Sequence, residues 1–367
     1  MYRRVAGVGL ALTMLVAGCG HSSSTSQGPA TSSTPVPSVA TSSTRAASAT
    51  SQAARDLPDP HTLRGLTEVP ELPDPKPVEG SSAQKLPVTV TDVEGNKVTI
   101  KSTSRILALD LYGTLSRTLI GLGLGDKIVG RTVSSTEKQL HDRPVVTENG
   151  HVLNVEAVAG LKPSVIIADR SVGPKEALDQ LRKSGIPVVL VDPHRSVGST
   201  PQLIRTTAEA VGKPDAGEAL VKRTQEQIDQ AKKQIAAWKP AKPMRVAFLY
   251  VRGSAGVFFI LGSENGANEL IQGVGADDVA SDKGITTLVP ANAESLVSIN
   301  PDAIFVMRDG LASTGGMKGL LARAGVANTT AGRKQRVISI PDGISLSFGP
   351  QTGEVLTAVA KALYGVK

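Results

Sequence analysis

Residues 154–170 read NVEAVAGLKPSVIIADR, and residues 292–308 read NAESLVSINPDAIFVMR. The two stretches match position by position. Each opens on Asn-x-Glu (Asn154 and Glu156; Asn292 and Glu294), reaches Pro at the same offset (Pro163, Pro301) and closes on Arg at the same offset (Arg170, Arg308). Between Pro and Arg lies an apolar run, Val165-Ile166-Ile167-Ala168 in one and Ala303-Ile304-Phe305-Val306 in the other. Both read as a short helix carrying a Glu, a Pro turn and a buried strand. Agreement in identity, spacing and order indicates two related units in one chain.

The flanking sequence extends the match. Arg105–Leu109 and Arg245–Tyr250 read as apolar strands, each followed within a few residues by a glycine and attended by a tyrosine (Tyr112, Tyr250). In the first unit, helices predicted at Thr114–Gly121, Asn154–Gly160 and Lys175–Lys183 alternate with strands at Lys127–Gly130, Ser164–Ala168 and Pro187–Val191. In the second, helices at Ala267–Ile271, Leu320–Arg323 and Thr352–Tyr364 alternate with strands at Ala303–Met307 and Arg336–Ile340. Such alternation implies right-handed crossovers and a parallel sheet. A hairpin, Val88–Thr91 and Val98–Lys101 around Gly95-Asn96, precedes the first unit.

Between the units, a helix over Thr200–Val211 is followed by a longer one from Asp215 to Ala237. Leu220, Thr224, Ile228, Ala231, Ile235 and Trp238 fall on one face of it. Such a helix spans about 35 Å, too stiff to be a loose linker. The expected fold is therefore α/β: two related Rossmann-like lobes with parallel sheets (86–199 and 239–367), connecting helices at 200–238, and a cleft between the lobes.

Ligands of open parallel sheets sit beyond the carboxyl ends of the strands. Those positions hold Tyr112, Arg131, Thr132, Arg170, His194, Arg195, Tyr250, Arg252, Arg308 and the loop Ser345–Phe348. Five arginines follow strand ends. Guanidinium groups fork onto carboxylates and are weakly hydrated enough to enter a cleft, so a majority of the five is expected to face it. Phe258, Phe259 and Phe348 are candidates for an apolar wall. Converging arginines suit a citrate, a carboxylate siderophore or the propionates of haem.

Composition narrows the classes. The formal net charge is +7, but no block of Lys and Arg is present, and aromatics to stack bases are only 3%. Nucleic acid is not an expected partner. The chain opens MYRRVAGVGLALTMLVAGCG, with Arg3 and Arg4 before an apolar run too short to span a bilayer. The run ends Val16-Ala17-Gly18-Cys19, and Cys19 is the only cysteine of the chain, so no internal disulfide can form. Residues 1–18 resemble a lipoprotein signal peptide, in which Cys19 receives the acyl chains, palmitate among them, that anchor the protein to a membrane. Residues 19–85 are rich in Ser, Thr, Ala and Pro and read as a disordered tether with stiffer pieces near Pro58–Pro77.

From Val88 to Tyr364 the chain resembles the extracytoplasmic substrate-binding proteins of ABC importers that carry ferric siderophores, haem and cobalamin. The resemblance rests on the hairpin with Asp92 and Gly95, the strand Arg105-Ile106-Leu107-Ala108-Leu109, the segment Leu124-Gly125-Asp126-Lys127-Ile128-Val129-Gly130, both Asn-x-Glu…Pro segments and the single long helix. It implies a monomeric, lipid-anchored protein outside the cytoplasm, without catalytic residues or a resident cofactor. It would deliver ferric siderophore, ferric citrate or haem to a permease dimer. It also implies that Glu156 and Glu294, one per lobe, dock on permease arginines. Haem carriers of the family commonly place a tyrosine in the loop after the second strand. Here that loop is Arg131-Thr132-Val133-Ser134-Ser135-Thr136, which leaves Tyr112, Tyr250 and His194 as candidates to contact iron and favours an anionic chelate held by arginines, with haem held through its propionates still open.

Other classes fit less well. Gly121, Gly123 and Gly125 lack the third glycine spacing of a dinucleotide loop, no nucleophile elbow is present, and His141, His151 and His194 lack metal-ligand spacing. A secreted hydrolase or transferase acting on an anionic substrate, or an envelope protein that binds without transporting, are the competing readings.

Overall fold

The computed structural model describes residues 57–79, 84–253 and 256–367, all within one compact unit. Cys19, the signal peptide and most of the expected tether lie outside the described residues.

The first described segment corrects the tether. Leu66–Glu68 (β1) pairs in parallel with the last strand of the second lobe, and Val69 behind it is fully buried. The chain then crosses to the first lobe, where Val78 enters the core and its N–H donates to Gly121 O at 2.9 Å. Two exposed carbonyls on this stretch, those of Lys76 and Pro77, accept from Arg223 of the long helix. Proline-rich sequence can pack this way because it has few N–H groups to satisfy at a sheet edge.

The first lobe carries the hairpin Val88–Thr91 (β2) and Lys97–Ile100 (β3), then Ile106–Leu109 (β4), Ile128–Gly130 (β5), a small hairpin of Thr147–Glu148 (β6) and Val152–Leu153 (β7), Val165–Ala168 (β8) and Val188–Leu190 (β9). Its main sheet has the order β5-β4-β8-β9 and is entirely parallel. Every residue of β4 is buried. Ile106 and Ala108 join one core cluster, and Leu107 and Leu109 the cluster on the opposite face. That is how a strand covered on both sides reads as an unbroken apolar run.

The second lobe has Arg245–Arg252 (β10), Val257–Ile260 (β11), Asp277–Asp278 (β12), Val289–Pro290 (β13), Ala303–Met307 (β14) and Val337–Ile340 (β15). The order is β1-β15-β14-β10-β11-β13, with β12 also on β10. Here β11 and β13 run antiparallel, so this sheet is mixed rather than parallel. The helix expected at Leu320–Arg323 lies at Gly316–Leu321.

The long helix, Pro214–Trp238, starts on Pro, a favoured first-turn residue. Leu220 lies in the core of the first lobe, and Ala231 and Ile235 in that of the second. One helix is thus a shared spine for both lobes. The last helix, Thr352–Tyr364, packs along it. Gly353 allows the approach, since a Cβ there would stand 2.5 Å from the Gln227 carbonyl.

Candidate functional site

The β4–Thr114 turn, the β6–β7 turn, β10 and the Asp342–Ser345 helix enclose a cavity of about 680 Å³ between the lobes, within the range of sites for cofactor-sized organic ligands.

Tyr112 follows β4 and reaches the cavity from the first lobe. Beneath its ring the Arg195 guanidinium lies 5.6 Å from the centroid. Arg195 is 2% exposed and pairs with Asp169 and, at 3.5 Å, with Asp110, both of them fully buried. Asp110 also caps the Thr114–Gly121 helix by accepting from Thr114 N at 2.9 Å. Two carboxylates share one cation in this buried layer. Desolvation, only partly offset by Arg195 and increased by Asp110, pushes Asp169 up to about 6. Burial likewise pushes the Tyr112 phenol up.

From the second lobe come Tyr250 and Arg252 on β10. The Arg252 guanidinium stacks on the Tyr250 ring at 4.9 Å and pairs with Asp342 at 2.6 Å. The other Asp342 oxygen accepts from Asp309 N at 2.8 Å. Burial raises the Asp342 pKa against these favourable contacts. His151 lines the cavity from the β6–β7 turn. That turn is possible because Asn149 and Gly150 both take positive φ, which those two residues tolerate best.

The expected convergence of arginines does not occur. Of the five, only Arg252 lines the cavity. Arg170 forks onto Glu94 at 2.8 and 2.9 Å and reaches Asp179. Arg308 binds Glu71 at 2.7 Å and the Val69 carbonyl. Each ties a preceding segment to its lobe. Arg131 is half-buried and donates to Ser135 O, and Arg195 is sealed under Tyr112. Local acids and carbonyls, nearer than the cleft, captured these cations.

Other expected residues also stand elsewhere. Thr132 is buried and donates to Asp110 O at 3.1 Å. His194 is exposed, outside the cavity lining, its N–H on Asp192. Phe258 and Phe348 are core residues, and Phe259 faces Tyr250 and Pro290 across the strands. From the 345–348 loop, Ser345 and Leu346 line the cavity instead. Glu156 and Glu294 are both exposed, each the second residue of a short helix capped by Asn154 or Asn292.

His151 was not among the expected contacts. Its one signal was Asn149-Gly150 immediately before it, a turn that marks a loop tip.

Comparison with known proteins agrees with this architecture. The model of the family "Periplasmic binding protein" matches residues 111–343. The substrate-binding lipoprotein YvrC of Bacillus subtilis, uncharacterised but assigned to an ABC transporter, is 27% identical over 76% of this chain and 86% of its own. Crystal structures of the haem-binding protein HmuT superpose with TM-scores of 0.82 and 0.83 at 46–49% identity; one of them covers 84% of this chain and all of that one. They include variants in which a histidine, a tyrosine or an arginine is replaced by alanine. The haem-binding protein RhuT of Roseiflexus is 32% identical with a TM-score of 0.67, over 72% of this chain and 99% of its own. These relatives are binding proteins, not enzymes. The chain belongs to the periplasmic binding protein family, in the class that serves ABC importers of haem, siderophores and cobalamin.

Proposed function

We propose that this protein carries haem to an ABC importer, receiving it in the inter-lobe cavity between His151 and Tyr250. One observation carries the reading. His151, Tyr250 and Arg252 meet at one cavity, and they follow each other in the order and with the spacing of the histidine, tyrosine and arginine replaced in the HmuT variants. Phenolate and imidazole are both axial ligands for haem iron. Arg252 stacked on the Tyr250 ring fixes the ring's orientation at the cavity wall. The cavity walls support an apolar plate more than a compact anion. Ferric citrate would need several cations, and the single guanidinium among the described lining residues is already held by Asp342.

In this reading Cys19 supplies the lipid anchor on the outer face of the membrane, and Glu156 and Glu294 present the loaded form to the permease. The first test is a titration of the purified protein with ferric haem, ferric citrate and cobalamin, followed by absorbance. Haem should develop a Soret band with saturable binding, and Tyr250→Ala should shift that band and weaken binding by at least about tenfold. Saturable binding of citrate or cobalamin without haem binding would overturn the reading.

A further inference from the structure

The cavity has an unusual charge balance for a site that receives a dicarboxylate. Among the described residues lining it, three carry formal charge: Arg252, Asp309 and Asp342. Arg252 is neutralised by Asp342 at 2.6 Å, and Asp309 is exposed next to it. The next cation, Arg195, is screened from the cavity by Tyr112 and committed to two buried aspartates. A ligand carboxylate drawn inside would lose its water and meet neutral donors such as Ser134, Thr136 and Asn149, but no free cation. It would also face two aspartates. Burying a carboxylate on those terms is strongly unfavourable. Where the cavity meets solvent, the lining includes Leu111, Val133 and Leu288, all markedly exposed although apolar. Apolar surface left open at a rim marks a place for an apolar partner surface.

We propose that the site recognises its ligand by the metal and the apolar macrocycle, and leaves the ligand's carboxylates in solvent. This rests on the haem reading and specifies what the site selects: a metalloporphyrin, with or without free acid groups. Tyr250 and His151 address the metal, and Leu111 from one lobe and Leu288 from the other clasp the hydrocarbon edge.

The test compares three porphyrins titrated into the same protein in one detergent solution, with affinity read from absorbance and from quenching of protein fluorescence. They are ferric haem, its dimethyl ester, and metal-free protoporphyrin. The ester should bind within about fivefold of haem, and the metal-free acid should bind at least about tenfold more weakly. A greater loss for the ester, or equal binding of the metal-free acid, would overturn the proposal while leaving haem as the ligand. Failure of haem itself to bind would remove both this proposal and the reading beneath it, and is recognisable because the haem titration itself would be flat.

Discussion

Arg195 and Glu137 show what burial does to single charged groups here. Arg195 stands between Asp110 and Asp169, all three shut off from the surface. Its replacement by Ala leaves two uncompensated buried carboxylates, which should destabilise the protein by about 3–5 kcal/mol in urea unfolding. Adding Asp169→Asn should recover part of that loss, whereas a purely steric role for Arg195 would give no recovery. Glu137 is fully buried against Arg117 at 3.1 Å, and desolvation, only partly offset by Arg117, pushes its carboxyl up to about 7. Unfolded, it ionises near the usual 4.5. Between those values the folded state holds the extra proton, so this group's contribution to stability falls as pH rises from about 4.5 to about 7. Asp169 adds the same sign over a lower window, up to about 6. Melting temperatures measured from pH 5 to 8 should therefore decline, and Glu137→Gln should flatten the decline; an unchanged slope in that variant would refute the assignment. The same scale explains what sequence could tell about the site. Tyr112, Tyr250 and Arg252 reach the cavity because strand ends are set by topology. Arg170 and Arg308 were misplaced because a guanidinium goes to the nearest acid, and Glu94 and Glu71 are distant in sequence.

At the scale of elements, the long helix and the first Asn-x-Glu helix emerged with ends within a residue of those expected, since one is bounded by prolines and the other by its Asn cap, and the hairpin did so on its alternation and its Gly95 turn. What escaped were the short pieces: β1, the β6–β7 hairpin, β12 and β13. A strand of two or three residues has too few positions to show a period, and β1 buries little of itself. Its worth lies in Val69 just beyond it, packed in the core of the second lobe. Val69→Ala should cost about 2 kcal/mol, although the residue sits in sequence that reads as linker. Stability indistinguishable from the parent would mean the segment only rests on the lobe. Gly353 gives a second measure. Gly353→Val would drive a side chain into the Gln227 backbone and separate the last helix from the spine. Overpacking of this kind costs about 1–3 kcal/mol, and chemical denaturation would read it.

At the scale of the molecule, the spine and one buried arginine set how the lobes stand. Arg117, on the Thr114–Gly121 helix of the first lobe, donates to Gly343 O at 3.2 Å and Gln351 Oε1 at 2.8 Å in the second. Gly343 is needed there, because a Cβ would meet Thr136 Oγ1 at 1.9 Å. Lobes held in this way present surface groups at a defined separation, so one exposed carboxylate per lobe can act as a two-point key. Glu156 and Glu294 meet the requirement: both are exposed, and both occupy the same place in a matched, Asn-capped helix. Their position in the first turn is also favoured by the helix dipole, but only by about 0.3–1 kcal/mol each. A helix role and a docking role therefore predict different outcomes for Glu156→Ala combined with Glu294→Ala. If the residues serve only their helices, the melting temperature drops slightly and transport continues. If they dock, haem titrations of the purified double variant match the parent while uptake in cells is lost, with each single variant in between. Docking by exposed charge pairs also predicts that association with the permease weakens as salt rises. Full uptake by the double variant would show that the permease recognises some other surface.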